Sequence, residues 1–143
     1  MPNQTPTHTP AYTVFIPGHP RPQGSKRHIG GGRHIEASPY HQQWRTNCIQ
    51  HMQAARPCGM EPITDPIICN VVFVMPRPKR LTNPYPYRGD LDKLKRSIGD
   101  SLTHANIIGD DSRIVSQTDT KRYAAEGERP GAHVTIHLAP TPQ

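Results

Sequence analysis

The nine residues Ile67–Met75 (IICNVVFVM) form a short, continuous apolar run that is rich in β-branched side chains. Such a run is typical of a central strand in a sheet. The segment that follows, Pro76–Tyr87 (PRPKRLTNPYPY), cannot continue the strand because its prolines lack the backbone N–H that a sheet requires. We therefore predict a central strand over Ile67–Met75, followed by an extended, polyproline-like connection.

One helix is predicted before this strand in the sequence and one after it. Downstream, the apolar positions follow a helical period: Leu91, Leu94, Ile98, Leu102 and Ala105. This helix is expected to end near His104. Upstream, Ser38-Pro39 pairs an N-cap residue with a proline at the first helical position, so a helix is predicted from there to about Arg56. Trp44 and Ile49 are expected on its buried side.

Three more strands and a hairpin complete the predicted order. The strands are expected over Ala11–Pro17, Ile114–Tyr123 and Ala132–Leu138. Three glycines between two matching runs, Arg27-His28-Ile29 and Arg33-His34-Ile35, predict a hairpin whose turn needs positive φ. The order β, hairpin, α, β, α, β, β indicates an α+β fold: a small mixed β-sheet with two main helices packed on one face.

Length and composition limit the class of protein. The chain has 143 residues, which indicates one domain over residues 11–140, preceded by a disordered, proline-rich tail over 1–10. A mean hydropathy of −0.72 excludes a membrane span. Three cysteines form no paired framework, and an odd count is typical of reduced thiols in the cytoplasm.

The charge is unevenly distributed along the chain. The net charge is +6. Residues 1–88 carry ten basic and three acidic side chains, whereas residues 89–143 carry seven basic and eight acidic ones. A basic chain indicates a polyanionic partner, most commonly nucleic acid, although the charge could also serve solubility alone.

Four of the eight acidic residues of the second part form two pairs, Asp90-Leu91-Asp92 and Asp110-Asp111. Several carboxylates that converge on Mg²⁺ are typical of phosphoryl-transfer enzymes. Asp90 and Asp92 can serve one site only if Asp90 lies at or before the N-cap, because residues i and i+2 of a helix do not face each other. The alternative is that both pairs merely cap helices or form turns.

Together with Asp100 and Lys121, these residues resemble the RusA family of Holliday-junction resolvases. The resemblance is strongest over residues 88–123. It implies a homodimeric, Mg²⁺-dependent endodeoxyribonuclease that resolves four-way junctions by paired nicks in DNA recombination and repair, with Mn²⁺ able to substitute. By the same resemblance, Asp90, Asp92 and Asp111 hold the catalytic metal, and Asp111 acts either in cis or across the dimer.

The sequence departs from the family pattern at two positions. The family's Asn after the second Asp is Lys93, and its Lys four residues after that Asp is Arg96, with Lys95 one register off. We interpret Arg96 as a catalytic residue that supports the phosphate electrostatically. The alternative is a surface Asp92–Arg96 pair worth ~0.3–0.5 kcal/mol.

Basic residues that could line a groove for DNA phosphates lie in the loops and near the acids: Arg21, Lys26, Arg27, Arg33, Arg77, Lys79, Arg80, Arg88, Lys93 and Lys121. Tyr85 and Tyr87 could stack on exposed bases, or their segment is only a rigid surface connection. Gly24-Ser25-Lys26 lacks the rest of a P-loop, so no nucleotide cofactor is expected. Two alternatives stay open: a non-catalytic nucleic-acid-binding module, and a nuclease for other branched DNA such as flaps.

Overall fold

A computed structural model of the chain describes residues 9–23, 26–28, 34–36 and 39–142, with the backbone alone described over 26–28 and 34–36. The elements in this part of the chain are β1 (Tyr12–Pro17), β2 (Lys26–His28), β3 (His34–Glu36), α1 (Pro39–Ala54), β4 (Ile67–Met75), α2 (Leu91–His104), a 3₁₀ turn (Asp111–Arg113), β5 (Ile114–Tyr123) and β6 (Gly131–Leu138). Neither described α-helix has the length and apolar character that crossing a bilayer requires.

Four strands form a mixed sheet in the order β1-β6-β4-β5. β4 lies inside the sheet, where it pairs antiparallel with β6 and parallel with β5. The prediction of a central strand is confirmed, with both ends at the predicted residues. Because parallel strands need a crossover connection, the chain between β4 and β5 must return along the sheet, and α2 is the main element of that return.

Both helices pack on one face of this sheet. Cys69, Val71 and Phe73 alternate along β4 and are no more than 1% exposed. They share one core with the helical residues Trp44, Cys48, Met52, Leu94, Ile98 and Leu102. Trp44 is buried as predicted, and Ile49 packs against the core while partly exposed. The α+β class with two helices on one face is confirmed.

Three element boundaries differ slightly from the prediction. β1 begins one residue later, at Tyr12, and β6 one residue earlier, at Gly131. α1 ends at Ala54 instead of Arg56, because the Arg56 N–H donates to Gln53, three residues back, which tightens the last turn.

The predicted hairpin is present as β2 and β3, which pair antiparallel with Arg27 opposite Ile35. Its glycine turn and Arg33 lie outside the described residues, as does the predicted N-cap Ser38. The predicted tail also falls largely outside them, because residues 1–8 are not described. Its disorder therefore stays a prediction.

The first strand pair depends on a glycine. Gly131 is paired with Pro17 and has a φ of +158°. A Cβ atom at this position would lie 2.2 Å from the Ile16 carbonyl oxygen and 2.7 Å from Cζ of Phe15. Only a residue without a side chain lets the two strands approach this closely.

Gly131→Ala should therefore lower the free energy of unfolding by about 2 kcal/mol or more, because backbone atoms must move to admit the methyl group. Gly99→Ala is the control: a Cβ there meets nothing within 4 Å, and replacing a helical glycine should raise stability by about 0.5–1 kcal/mol. Urea titrations of both variants measure this, and equal stability of Gly131→Ala and the parent chain would contradict it.

An ion pair closes the turn between β5 and β6. Nη1 and Nη2 of Arg122 donate to the two carboxylate oxygens of Glu128 at 2.7 and 2.8 Å. The Ala125 N–H donates to the same carboxylate at 2.8 Å. These hydrogen bonds, with that from Arg122 the largest cause, lower the pKa of Glu128 from 4.5 to about 2.

A carboxyl with a lowered folded-state pKa stabilises the fold above its unfolded pKa, and this contribution is lost as the pH falls through the folded value. The stability of the parent chain should therefore decline between about pH 4.5 and pH 2 more steeply than that of Glu128→Gln. Thermal unfolding at several pH values measures both slopes, and parallel slopes would overturn the expectation.

Candidate active site

Asp90 and Asp92 lie at the start of α2. Asp90 is the N-cap, with non-helical φ and ψ of −58° and 122°, and its Oδ1 accepts a hydrogen bond from the Asp92 N–H at 3.2 Å. Gly89, with a φ of +83°, turns the chain into the helix. The N-cap position satisfies the geometric condition under which both carboxylates serve one site.

Asp92 is paired with Arg96 one turn along the helix. Nη2 of Arg96 lies 3.2 Å from Oδ2 of Asp92, and the two side chains are 64% and 61% exposed. Exposed pairs at this spacing contribute little to stability, about 0.3–0.5 kcal/mol. Breaking this pair would therefore cost little free energy, and the exposed guanidinium is accessible to a ligand.

Lys121 of β5 fixes the chain that leads into α2. Its Nζ donates to the Gly89 carbonyl at 2.8 Å and to the Tyr87 carbonyl at 3.2 Å. The sequence predicted Lys121 as a DNA contact. That contact stays a prediction. The described contacts add a positioning role that sequence reasoning missed, because they tie the segment before Asp90 to the sheet.

Asp119 is a carboxylate near the site that the sequence analysis did not single out. It alternates along β5 with Gln117 and Lys121, and Nε2 of Gln117 donates to its Oδ1 at 2.7 Å. Burial raises the pKa of Asp119, the hydrogen bond from Gln117 and the charge of Lys95 oppose this rise, and the charge of Asp92 adds to it. Sequence reasoning missed Asp119 because its place near the start of α2 depends on the register of β5, which no local pattern shows.

The two residues of the second acidic pair, Asp110 and Asp111, have different contacts. Asp110 caps the 3₁₀ turn, where its Oδ2 accepts from the Ser112 N–H at 3.0 Å, and the hydrogen bonds from Ser112 lower its pKa. Asp111 lines a cavity of about 380 Å³ together with Arg96 and Asp100. Asp111 therefore reaches the middle of α2, whereas Asp90 and Asp92 lie at its start.

Arg96 connects the two acidic pairs, since it binds Asp92 and also lines the cavity with Asp111. Within the described residues, no three His, Cys, Asp or Glu side chains lie close enough together to hold a metal ion. Asp92 and Asp111 thus both lie beside Arg96, but the described acids do not form a closed metal cage. Their role as metal ligands stays a prediction.

The predicted DNA contacts lie on several different elements. Arg77 donates to the Ala124 carbonyl at 3.4 Å, and the Lys93 carbonyl accepts from the Gln23 N–H at 3.1 Å. The side chains of Lys79, Arg80 and Arg88 are exposed. Those of Lys26 and Arg27 are outside what the structure describes. Arg21 lies over the ring of Tyr40, with Cζ 4.9 Å from the ring centroid.

Comparison with known proteins assigns this arrangement to a family. Residues 17–137 match the family model of endodeoxyribonuclease RusA, and no curated protein matches the chain. The matched range contains both acidic pairs, Arg96 and Lys121, as well as β4, β5 and β6 up to His137, but only the last residue of β1. The chain belongs to the RusA family of endodeoxyribonucleases.

Proposed function

We propose that this endodeoxyribonuclease is a Mg²⁺-dependent homodimer that resolves four-way DNA junctions by paired nicks in recombination and repair. The family's nucleases act on branched DNA and depend on a divalent metal ion. The observation that carries the proposal for this chain is the position of Arg96, which lies between exposed acidic side chains on the surface of a basic protein.

The chemistry of the acids fits Mg²⁺. Asp90, Asp92 and Asp111 offer only carboxylate oxygens, and such ligands select hard cations, with Mn²⁺ as a substitute. Mg²⁺ commonly takes one or two protein carboxylates and completes its shell with water and substrate phosphate, so it does not require three acids in contact. When bound, the ion neutralises phosphate charge and activates the attacking water.

The protein's own groups account for phosphate binding and positioning. Arg96 can exchange its exposed contact with Asp92 for a DNA phosphate, because neither partner of the pair is buried. Arginine stays protonated at any relevant pH, so it acts through charge and not as an acid. Lys121 fixes the entry to α2 and thereby the direction in which the Asp90 carboxylate is presented.

The proposed homodimer follows from the substrate. A four-way junction has two strands to cut, and a two-fold symmetric protein places one site on each. The predicted cytoplasmic location stays a prediction, consistent with the three free cysteines Cys48, Cys58 and Cys69.

A non-catalytic DNA-binding module is the second candidate function, and one observation favours it. Asp90 and Asp110 both accept hydrogen bonds from backbone N–H groups two residues ahead, as purely structural caps do. A module that only binds DNA gains nothing from exposed acids, because each one repels phosphate. Removing Asp92, whose carboxylate makes no such cap, distinguishes the two candidates.

We expect Asp92→Asn to reduce junction cleavage by at least about 100-fold, because a metal ligand is lost at nearly constant volume. Junction affinity without metal should stay the same or rise, since one charge that repels phosphate is gone, and the rise should shrink with added salt. Cleavage assays and gel-shift titrations at two salt concentrations measure this.

Glu126→Gln is the matched control, since Glu126 is an exposed acid in the turn after β5. It should alter neither cleavage nor affinity. If Asp92→Asn cut at the parent rate, the acids would be structural and the binding module would be the better account.

Arg96→Ala should slow cleavage by on the order of 100-fold, the usual cost of removing one group that stabilises transition-state charge. Arg96→Lys should retain part of the rate because it keeps the charge. Arg129→Ala, which removes an exposed arginine from the β5–β6 turn, is the control. Single-turnover cleavage rates measure all three, and full activity of Arg96→Ala would remove this residue from the mechanism.

A further inference from the structure

We infer that a groove between the chain after β1 and the start of α1 binds an unpaired nucleotide of the DNA substrate, with the base stacked on Tyr40 and the phosphate held by Arg21. The inference rests on the proposed function for its substrate and adds a base-binding site to it. Five observations on the described residues support it.

The groove has the size and composition of a ligand site. It has a volume of about 690 Å³, within the ~300–1,000 Å³ typical of small-ligand pockets. None of the described residues that line it is acidic; its polar walls are formed by His19, Arg21, Gln43 and Asn47, together with other glutamines and a threonine of α1. A site with this composition favours an anionic, hydrogen-bonding ligand.

Its aromatic and cationic groups are already adjacent. Cζ of Arg21 lies 4.9 Å from the centroid of the Tyr40 ring, yet 58% of Tyr40 remains exposed. Nucleic-acid-binding proteins use such exposed rings and guanidinium planes as platforms for unstacked bases. Inside a duplex the neighbouring base pairs cover both faces of a base, so the geometry favours an unpaired, unstacked nucleotide, which the centre or the end of a branched DNA supplies.

Among the described residues that line the groove, Arg21 supplies the positive charge. Burial lowers the pKa of His19, and the neighbouring Arg21 charge lowers it further, so His19 is neutral near pH 7. Arg21 is therefore the group that would hold a phosphate, and His19 can only donate or accept a hydrogen bond.

The floor of the groove contains a buried aromatic residue. Trp44 lines the groove and is 3% exposed, and Cζ3 and Cε3 of its ring lie closest to the groove residue Gly18. Trp44 is also the single tryptophan of the chain, which makes it an intrinsic probe of the groove.

Both walls of the groove are attached to the helix that carries Asp92. On one side, the Gln23 N–H donates to the Lys93 carbonyl at 3.1 Å. On the other, His41, next to Tyr40, is hydrogen-bonded through Nε2 to the buried Oγ of Ser97 at 2.8 Å. A nucleotide in the groove is therefore held in a fixed relation to α2, which would position the strand that is cut.

The test uses the full-length chain without metal, so that no DNA is cut, and measures binding to a single-stranded oligonucleotide, to a four-way junction and to linear duplex. Tyr40→Ala should weaken binding to the single strand and the junction by roughly 5- to 100-fold, the effect of losing one stacked base. Duplex affinity should stay within twofold. Tyr40→Phe should bind like the parent chain because it keeps the ring.

Two further readouts separate stacking from charge. Saturating single-stranded DNA should change the emission of Trp44 in the parent chain and much less in Tyr40→Ala. Arg21→Gln should weaken binding to all three DNAs and lower the salt dependence by about one counterion. Leu138→Ala, which trims another exposed side chain (53%), is the control and should match the parent throughout.

Equal single-strand affinity of Tyr40→Ala and the parent, or no change in Trp44 emission with saturating DNA, would overturn this inference. The nuclease proposal would then still stand if the parent cuts junctions. If instead Tyr40 proves necessary for single-strand binding but junctions are never cut, the groove is retained and the nuclease proposal fails.

Discussion

The parallel pairing of β4 with β5 is the constraint on which the site depends. Parallel neighbours cannot be joined by a tight turn, so the chain must leave the end of β4, cross over the sheet and return. α2 forms on that crossover because one side of it is apolar: Leu94, Ile98 and Leu102 are fully buried against the sheet. Its N-terminus, and with it Asp90 and Asp92, is thereby set beside the strand that carries Lys121.

Electrostatics then determine what this arrangement can bind. Carboxylates at the start of a helix are stabilised by the helix dipole, so Asp90 and Asp92 cost the fold little. Both carboxylates nevertheless repel phosphate. A cation between the carboxylates and a DNA phosphate would offset this repulsion. Arg96 supplies one such cation from the protein, and the proposed divalent ion supplies another. The groove at Tyr40 is joined to the same helix through the hydrogen bond between His41 and Ser97, so α2 would position both the proposed cleavage site and the proposed base-binding site.

The sequence predicted the parts of the fold that local chemistry controls. Both ends of β4 were predicted correctly because prolines bound its β-branched run. The helix α2 was predicted correctly because its apolar residues recur at a regular helical period. The sequence did not indicate that position 131 requires glycine, because the requirement comes from the close approach of the Ile16 carbonyl on another strand. The hairpin pairing was predicted from the glycines between two matching runs, which is again a local signal.

The site was predicted less completely because its members come from different elements. Asp90 and Asp92 are adjacent in sequence and were identified together, but the pattern could not show that Asp111 reaches the middle of α2. That position depends on how the chain turns after α2, where the N–H groups of Ile107 and Ile108 both donate to Leu102. Asp119 and the anchoring contacts of Lys121 depend on the parallel register of β5. A single sequence does not contain that register.

The most direct test of the central claim is to map cleavage of a strand-labelled four-way junction by the purified protein with Mg²⁺, beside a flap and a linear duplex of the same sequence. The account predicts paired nicks at symmetric positions near the crossover, none in the duplex, and loss of all cleavage with excess chelator. Junctions left intact with Mg²⁺ and Mn²⁺, or cleavage that persists in chelator, would contradict it.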